Sequence, residues 1–419
     1  MLSTVLFTLI LFSQQPPPPA QPPVQPPQPA PQRLTVFLDC GDCFADFLRE
    51  ETEFVDFVRD RTEAVLHVII TSTGTGGGGR EYVIEFTGQG ALAGRDSTIK
   101  AFTGIGDPED VQRRQLLTTL HIGLLQYLTR DGVPQHLQVE VALQEAPAGT
   151  QLREDPWNSW VFSIRGSASL DGEESSKERQ LSAELSADRI TLDWKMTFGL
   201  EIDEETEEFD LDEDEPVKAH RRERDFSWLI VKALGEHWSA GATGSIESST
   251  FDNLKLRFAI DPAIEYNLFP YSMYQRRQLR TKYAIGLQRQ EYLEETLLGE
   301  TEETLPSHEL STTYDQQERW GSVEGRVEWF QYLHDLSKNR LEVNGEISWR
   351  ILRGLSISAD ANASRIRDQI SLPRRGATDE EILLRLRQLQ SGYEYGFSMS
   401  VTYTFGSIFS SIVNPRFGQ

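Results

Sequence analysis

The chain has 419 residues, a formal net charge of −24 and two cysteines. That length allows two or three domains with real cores. The acidic balance argues against nucleic acid, which needs clustered Lys and Arg, and two cysteines cannot staple a disulfide scaffold. Beyond an N-terminal run no apolar stretch reaches the length of a membrane helix. A helical membrane protein is therefore excluded, whereas a transmembrane β-barrel, with polar residues at every second position, is not.

Residues 1–15 open with the apolar run MLSTVLFTLILFS, a signal-like segment without a basic start or a small-residue cleavage site before Gln14. The rest of the chain nevertheless calls for export. Residues 16–32 are more than half proline, so they form neither helix nor ladder and serve as a semi-rigid extended spacer.

Residues 33–148 read as a small α/β domain. Leu34–Asp39 is a buried strand, and Phe47, Phe54, Phe57 and Val58 place an amphipathic helix over Phe44–Arg59. Val65–Thr71 and Glu81–Phe86 form a hairpin around the glycine loop Gly74–Gly79. That run lacks the Lys-Ser/Thr of a phosphate loop and joins two strands, so it reads as a flexible tip. Asp107-Pro108 starts a second helix ending near Thr129, and Leu137–Leu143 is a last strand. The order βαββαβ predicts a two-layer sandwich. In element order it resembles the small domains of periplasmic proteins such as the Tol-Pal β-propeller protein and the curli secretion lipoprotein.

Cys40-Gly41-Asp42-Cys43 stands after a strand and before a helix, where a thioredoxin-like redox pair would sit. No Trp precedes Cys40 and no strand carries the proline that such folds place opposite the pair. A structural disulfide between Cys40 and Cys43 is the favoured reading, with redox activity and metal binding as alternatives. Metal is disfavoured because four ligands are needed, and only His67 and His121 lie nearby in sequence.

From Trp157 the chain alternates with period two. In Ile190–Ile202 the residues Ile190, Leu192, Trp194, Met196, Phe198, Leu200 and Ile202 share one face, which no helix permits. Leu254–Leu268 and Tyr393–Phe405 repeat the pattern. The segments run at about twice the length of soluble strands and carry aromatics at their ends, as bilayer-crossing strands do. Twelve are predicted: 157–170, 178–187, 190–203, 224–235, 238–249, 254–268, 277–292, 308–318, 321–334, 339–352, 355–369 and 391–405. Short turns alternate with longer loops, the even count returns both ends to one side, and the expected architecture is an α+β N-terminal sandwich followed by an all-β transmembrane antiparallel barrel of about twelve strands over 149–406, with a tail at 407–419.

The segments EYNLFPYSMYQRRQLRTKYAIG, RWGSVEG and YGFSMSVTYTFGS resemble the salt-induced outer-membrane protein family. That resemblance implies an outer-membrane barrel and says almost nothing about activity. Separately, SMSVTYTF resembles the aromatic-terminated signal read by the barrel assembly machinery, and departs from that pattern by lying 14 residues before the C-terminus.

Predicted lumen-lining residues are Asp193, Lys195, Lys255, Arg257, Asp261, Glu265, Arg280, Lys282, Glu324, Arg326 and Glu328. Mixed signs in a narrow barrel read first as a plug of salt-bridged side chains, and alternatively as a small-solute pore. The acidic stretch Glu201–Glu215 is expected as a solvated loop over 204–223; a sharper reading has it bind divalent cations that bridge lipopolysaccharide phosphates. Thr378–Leu389 is expected as a short helix at the barrel mouth. His220, His237, His308 and His334 are placed at turns and loops, away from any outward serine, so a catalytic triad is not expected.

The expected role is envelope structure or passage of small polar solutes, with no cofactor, metal or catalytic residue. The partners are the lipid bilayer and lipopolysaccharide, with a periplasmic protein docking on the α/β domain. The runner-up is an outer-membrane surface hydrolase of lipase or protease type.

Overall fold

The computed structural model describes residues 33–41, 43–104, 106–129, 155–174, 176–209, 217–375 and 391–406. The signal-like segment, the Pro-rich linker, the strand expected at 137–143, the tip of the acidic stretch, the helix expected at 378–389 and the tail lie outside them.

The N-terminal region contains β1 (Thr35–Cys40), α1 (Ala45–Glu51), β2 (Asp56–Phe57), β3 (Leu66–Gly74), β4 (Arg80–Gly88), β5 (Asp96–Thr103) and α2 (Glu109–Leu128). They form a sheet of order β2-β1-β3-β4-β5, with β1 parallel to β2 and β3, and the rest antiparallel. The helix expected over Phe44–Arg59 stops at Glu51. The chain then turns through the buried Thr52 into β2, which delivers Phe57 to the core from a strand. β5 was not expected: an edge strand that is polar on its exposed positions carries little apolar alternation.

Leu116, Leu120 and Leu124 of α2 recur every four residues, so one helix face lies fully buried on the sheet beside Val68, Ile84 and Phe86. Gly123 makes that approach possible, because a Cβ there would stand 2.1 Å from Cζ of Phe86. Phe37, Asp39, His67, Ile69, Thr71, Glu81 and Glu85 occupy the opposite face of the sheet. A two-layer sandwich leaves that face open to solvent, yet His67 and Ile69 are buried.

The second region is a meander of twelve antiparallel strands, in sequence order across the sheet. They are β6 (Trp160–Gly172), β7 (Ser176–Ile190), β8 (Trp194–Phe209), β9 (Val217–Ala233), β10 (Trp238–Ser249), β11 (Leu254–Asn267), β12 (Arg277–Tyr292), β13 (Glu302–Glu318), β14 (Gly321–Tyr332), β15 (Asn339–Leu352), β16 (Leu355–Ile366) and β17 (Tyr393–Tyr403). Each corresponds to one expected segment. The sheet is not closed: β6 and β17 are its edges and are not hydrogen-bonded to each other.

The expected acidic loop is mostly strand. β8 continues to Phe209 and pairs with the basic stretch of β9, placing Glu204 opposite Arg222, Glu205 opposite Arg221 and Glu208 opposite Lys218. Cross-strand pairs of opposite charge stabilise a ladder that the composition of either segment alone argues against. His220 and His308 lie within β9 and β13, not in loops.

Candidate functional site

The two faces of the meander are buried in the opposite sense to a soluble sheet. Along β12, Tyr283, Ile285 and Leu287 are 40%, 53% and 49% exposed, whereas Ala284, Gln288 and Gln290 are 5%, 9% and 3% exposed. Apolar side chains stand on the convex face and polar ones on the concave face. The same convex face carries Trp238, Phe258, Ile264, Val343 and Trp349, all substantially exposed. A monomer in water does not keep so wide an apolar surface uncovered.

The concave face encloses a cavity of about 1320 Å³ lined by strands β8 to β15. Lys195, Arg257, Asp261, Glu265, Arg280 and Lys282 line it, together with Glu309, Glu328, Arg340 and Glu342. Lys282 pairs with Glu309 at 2.9 Å, Arg257 with Glu247, and Arg326 with Glu328. Tyr271, from the β11–β12 connection, reaches into the cavity and donates to Glu265 at 2.8 Å. Burial, with that carboxylate beside it, pushes the Tyr271 hydroxyl up to about 12, so it stays a neutral donor. Asp315, Glu324, Glu346 and Asp360 form one cross-strand row on the concave wall. Sequence alternation assigns each of them a face, but only the register aligns them.

One predicted lumen residue, Lys255, is placed differently, and Asp193 lines the cavity from a turn. Lys255 lies at a register shift of β11 against both neighbours, and its ammonium is 3.4 Å from Glu291 on the convex face. The bulge breaks the period-two count, which had put Lys255 inside. Asp193 is not in a strand: β7 ends at Ile190 and β8 starts at Trp194, leaving Asp193 in the turn at the rim of the cavity.

Both ends of the cavity are crossed by other parts of the chain. At the loop end, residues 367–375 run from β16 to the β10–β11 and β12–β13 connections. Asn253, buried and left-handed at φ 59°, donates to the carbonyls of Glu294 and Ser371 at 3.0 and 2.8 Å. Leu297 N–H donates to Leu372, Arg374 pairs with Glu295 at 2.6 Å, and Arg340 pairs with Asp368 at 3.0 Å. Ile370 of this strap packs with Leu305 and Tyr332.

At the short-turn end lies the second face of the α/β sheet. Arg350 donates two bonds of 2.5 Å to Asp39, which also meets His67 Nε2 at 3.3 Å. Asp60 accepts from Gly354 N–H at 2.6 Å, Glu63 pairs with Arg353 at 2.6 Å, and Glu85 lies 3.4 Å from Arg276. Gln275 bonds to Thr71 at 3.2 Å, and Arg59 donates to Phe405 O at 3.3 Å. These contacts are spread around the rim, which explains why His67 and Ile69 are buried.

Cys40 and Cys43 are joined in a disulfide with Cα atoms 5.9 Å apart, next to Asp39. Among the described residues, Glu178, Glu205 and Glu207 bring carboxylate oxygens within 4.8 Å of one another. The first and last of these face each other across β7 and β8. His121, beside Thr52 at 3.0 Å, is held below its ordinary pKa by burial, against the opposing pull of Glu51.

No family model matches the chain, and no curated protein matches it. The resemblance to the salt-induced outer-membrane proteins thus rests on the segments quoted above. Among solved structures, the NanC porin in a rhombohedral crystal form is similar, with a TM-score of 0.28 and 8% identity, over 59% of this chain and 99% of that one.

Proposed function

We propose that this chain is an outer-membrane β-barrel that passes small polar solutes, favouring cations, and is closed at rest by its own strap and α/β domain. The observation that carries the reading is the inverted burial along β12. Its convex face is matched to lipid, and its concave face to water and polar cargo. In the bilayer β6 and β17, antiparallel by the even strand count, pair with each other and remove the open edges. The α/β domain stands on the periplasmic side, at the short-turn end, where a periplasmic partner that engages it would release the rim. The carboxylate row of Asp315, Glu324, Glu346 and Asp360 supplies the cation preference.

The test is the full chain refolded into phosphatidylcholine vesicles. Heat-modifiable gel mobility reports barrel closure, and planar-bilayer recording reports passage. The reading expects a heat-modifiable species with rare, cation-selective openings. A chain that never acquires heat-modifiable mobility overturns the barrel; a folded chain that stays silent after removal of the rim contacts overturns passage.

One observation favours a second reading, a surface hydrolase. On the convex face Tyr283 Oη lies 3.2 Å from His308 Nδ1, and His308 Nε2 lies 3.0 Å from Gln331 Oε1. Nucleophile, base and orienting group stand in hydrogen-bond sequence. Release of fatty acid from vesicle phospholipid, abolished by His308→Ala, would support it; no release from vesicles holding the folded chain would sink it.

A further inference from the structure

The chain carries a net charge of −24, yet one patch of its convex surface is basic. On β9 the residues Lys218, His220, Arg222 and Arg224 are exposed, while the alternate Ala219, Arg221 and Glu223 turn to the concave side. Register places them beside the outward residues of β7 and β8 in successive rows: Lys177, Glu208 and Lys218; Arg179, Thr206 and His220; Leu181, Glu204 and Arg222; Ala183, Ile202 and Arg224. The next row is apolar, Leu185, Leu200 and Phe226, and it opens the lipid-facing belt.

Among the described residues of this patch cations outnumber acids. Glu204 alone serves both Arg224 at 3.5 Å and Arg222 at 3.9 Å, and Glu208 serves Lys218 at 3.3 Å. Lys177 and Arg179 are exposed and make no ion pair among the described residues. Elsewhere at this end of the convex face Lys255 has Glu291 and Arg289 has Glu302.

We infer that the rows from Lys177 to Arg224 form a docking surface for a phosphorylated glycolipid of the leaflet at the loop end. Arg224 lies two residues and Arg222 four residues from the apolar row, at the start of the headgroup zone, where phosphate oxygens accept forked guanidinium bonds, and the rows of Arg179 and Lys177 extend outward from them. An acyl chain then runs down Leu185, Leu200 and Phe226. Self-repulsion among these cations, which the two described glutamates only partly offset, is relieved by phosphate. The inference rests on the bilayer reading above and deepens it by naming the lipid chemistry and the residues that take it.

The experiment uses the full chain in phosphatidylcholine nanodiscs, with a bis-phosphorylated acylated glucosamine disaccharide as probe and its dephosphorylated form as control. Native mass spectrometry reads the fraction of protein retaining probe. Wild type retains the phosphorylated probe roughly tenfold more than the control. The combined variant Arg179→Gln, Arg222→Gln, Arg224→Gln loses that preference, whereas Arg289→Gln keeps it. Equal retention of the two probes by folded wild type overturns the inference without recourse to any variant. Failure to enter nanodiscs or to show heat-modifiable mobility is instead the failure of the bilayer reading.

Discussion

Asp39 of β1 and Arg350 of β15, 311 residues apart, meet in a fork, with two guanidinium nitrogens on two carboxylate oxygens. The pair is shielded by Phe37, whose ring lies 5.6 Å from the guanidinium carbon, and by His67 behind the carboxylate. A planar fork of this kind fixes orientation as well as distance. It holds the α/β sheet square on the turn between β15 and β16.

Asp39→Ala is expected to loosen docking by about 1.5–3 kcal/mol, the range for hydrogen bonds to charged groups. Hydrogen exchange of β1 and of residues 353–354 measures it. The exchanged pair Asp39→Arg with Arg350→Asp is expected to recover part of the loss. Unchanged exchange at 353–354 in Asp39→Ala would remove the fork from any role in docking.

The docking is also expected to fail in acid. For Asp39, burial pushes the carboxyl up, but hydrogen bonds from His67 and Arg350 and the charge of Arg350 outweigh it and hold it below its ordinary value. For Asp60, burial likewise works upward and is outweighed by Thr62, by Gly354 N–H and by Arg353. A depressed carboxyl contributes stability that is full above its undocked value, about 4, and is lost as pH falls through the docked value. Protease accessibility of the 353–354 turn should therefore be flat from neutral pH down to about 5 and rise below about 4. A rise only on the alkaline side would contradict this sign.

Asn253 ties the strap to the loops beneath it. Asn253→Ala removes its bonds to Glu294 and Ser371 and strains the left-handed backbone, at about 3 kcal/mol together. Asn253→Gly keeps the backbone relaxed and loses only the bonds. Both are expected to raise open probability in planar-bilayer recording, alanine more. If glycine behaves as wild type, the side-chain bonds do not hold the strap.

Gly123→Ala is expected to destabilise the α/β domain by about 1–3 kcal/mol, since the new methyl meets the Phe86 ring at 2.1 Å. The second change Phe86→Leu should restore much of the loss in thermal unfolding of the full chain. No recovery would mean that the helix, not the ring, absorbs the clash.

Neutralising Glu324 and Glu346 together as glutamines is expected to lower cation preference severalfold, with little change in heat-modifiable mobility. A reversal potential identical to wild type would place selectivity outside this row.

Period-two alternation is a local property, so the sequence by itself determined the number of strands in the twelve-stranded meander, their approximate ends and the apolar face of each. Trp194 to Ile202 and Tyr393 to Tyr403 needed no partner to be recognised. Pairing is not local, and there the tertiary structure decided. A register shift turned Lys255 outward to Glu291. A basic partner strand drew Glu204 to Glu208 into a ladder that their own composition disfavours. The same pairing built the basic rows around Arg222 and Arg224. The open face of the α/β sheet found its cover in turns more than two hundred residues away. Such contacts depend on which surfaces remain unsatisfied after each element has formed, and no window along the chain contains that information.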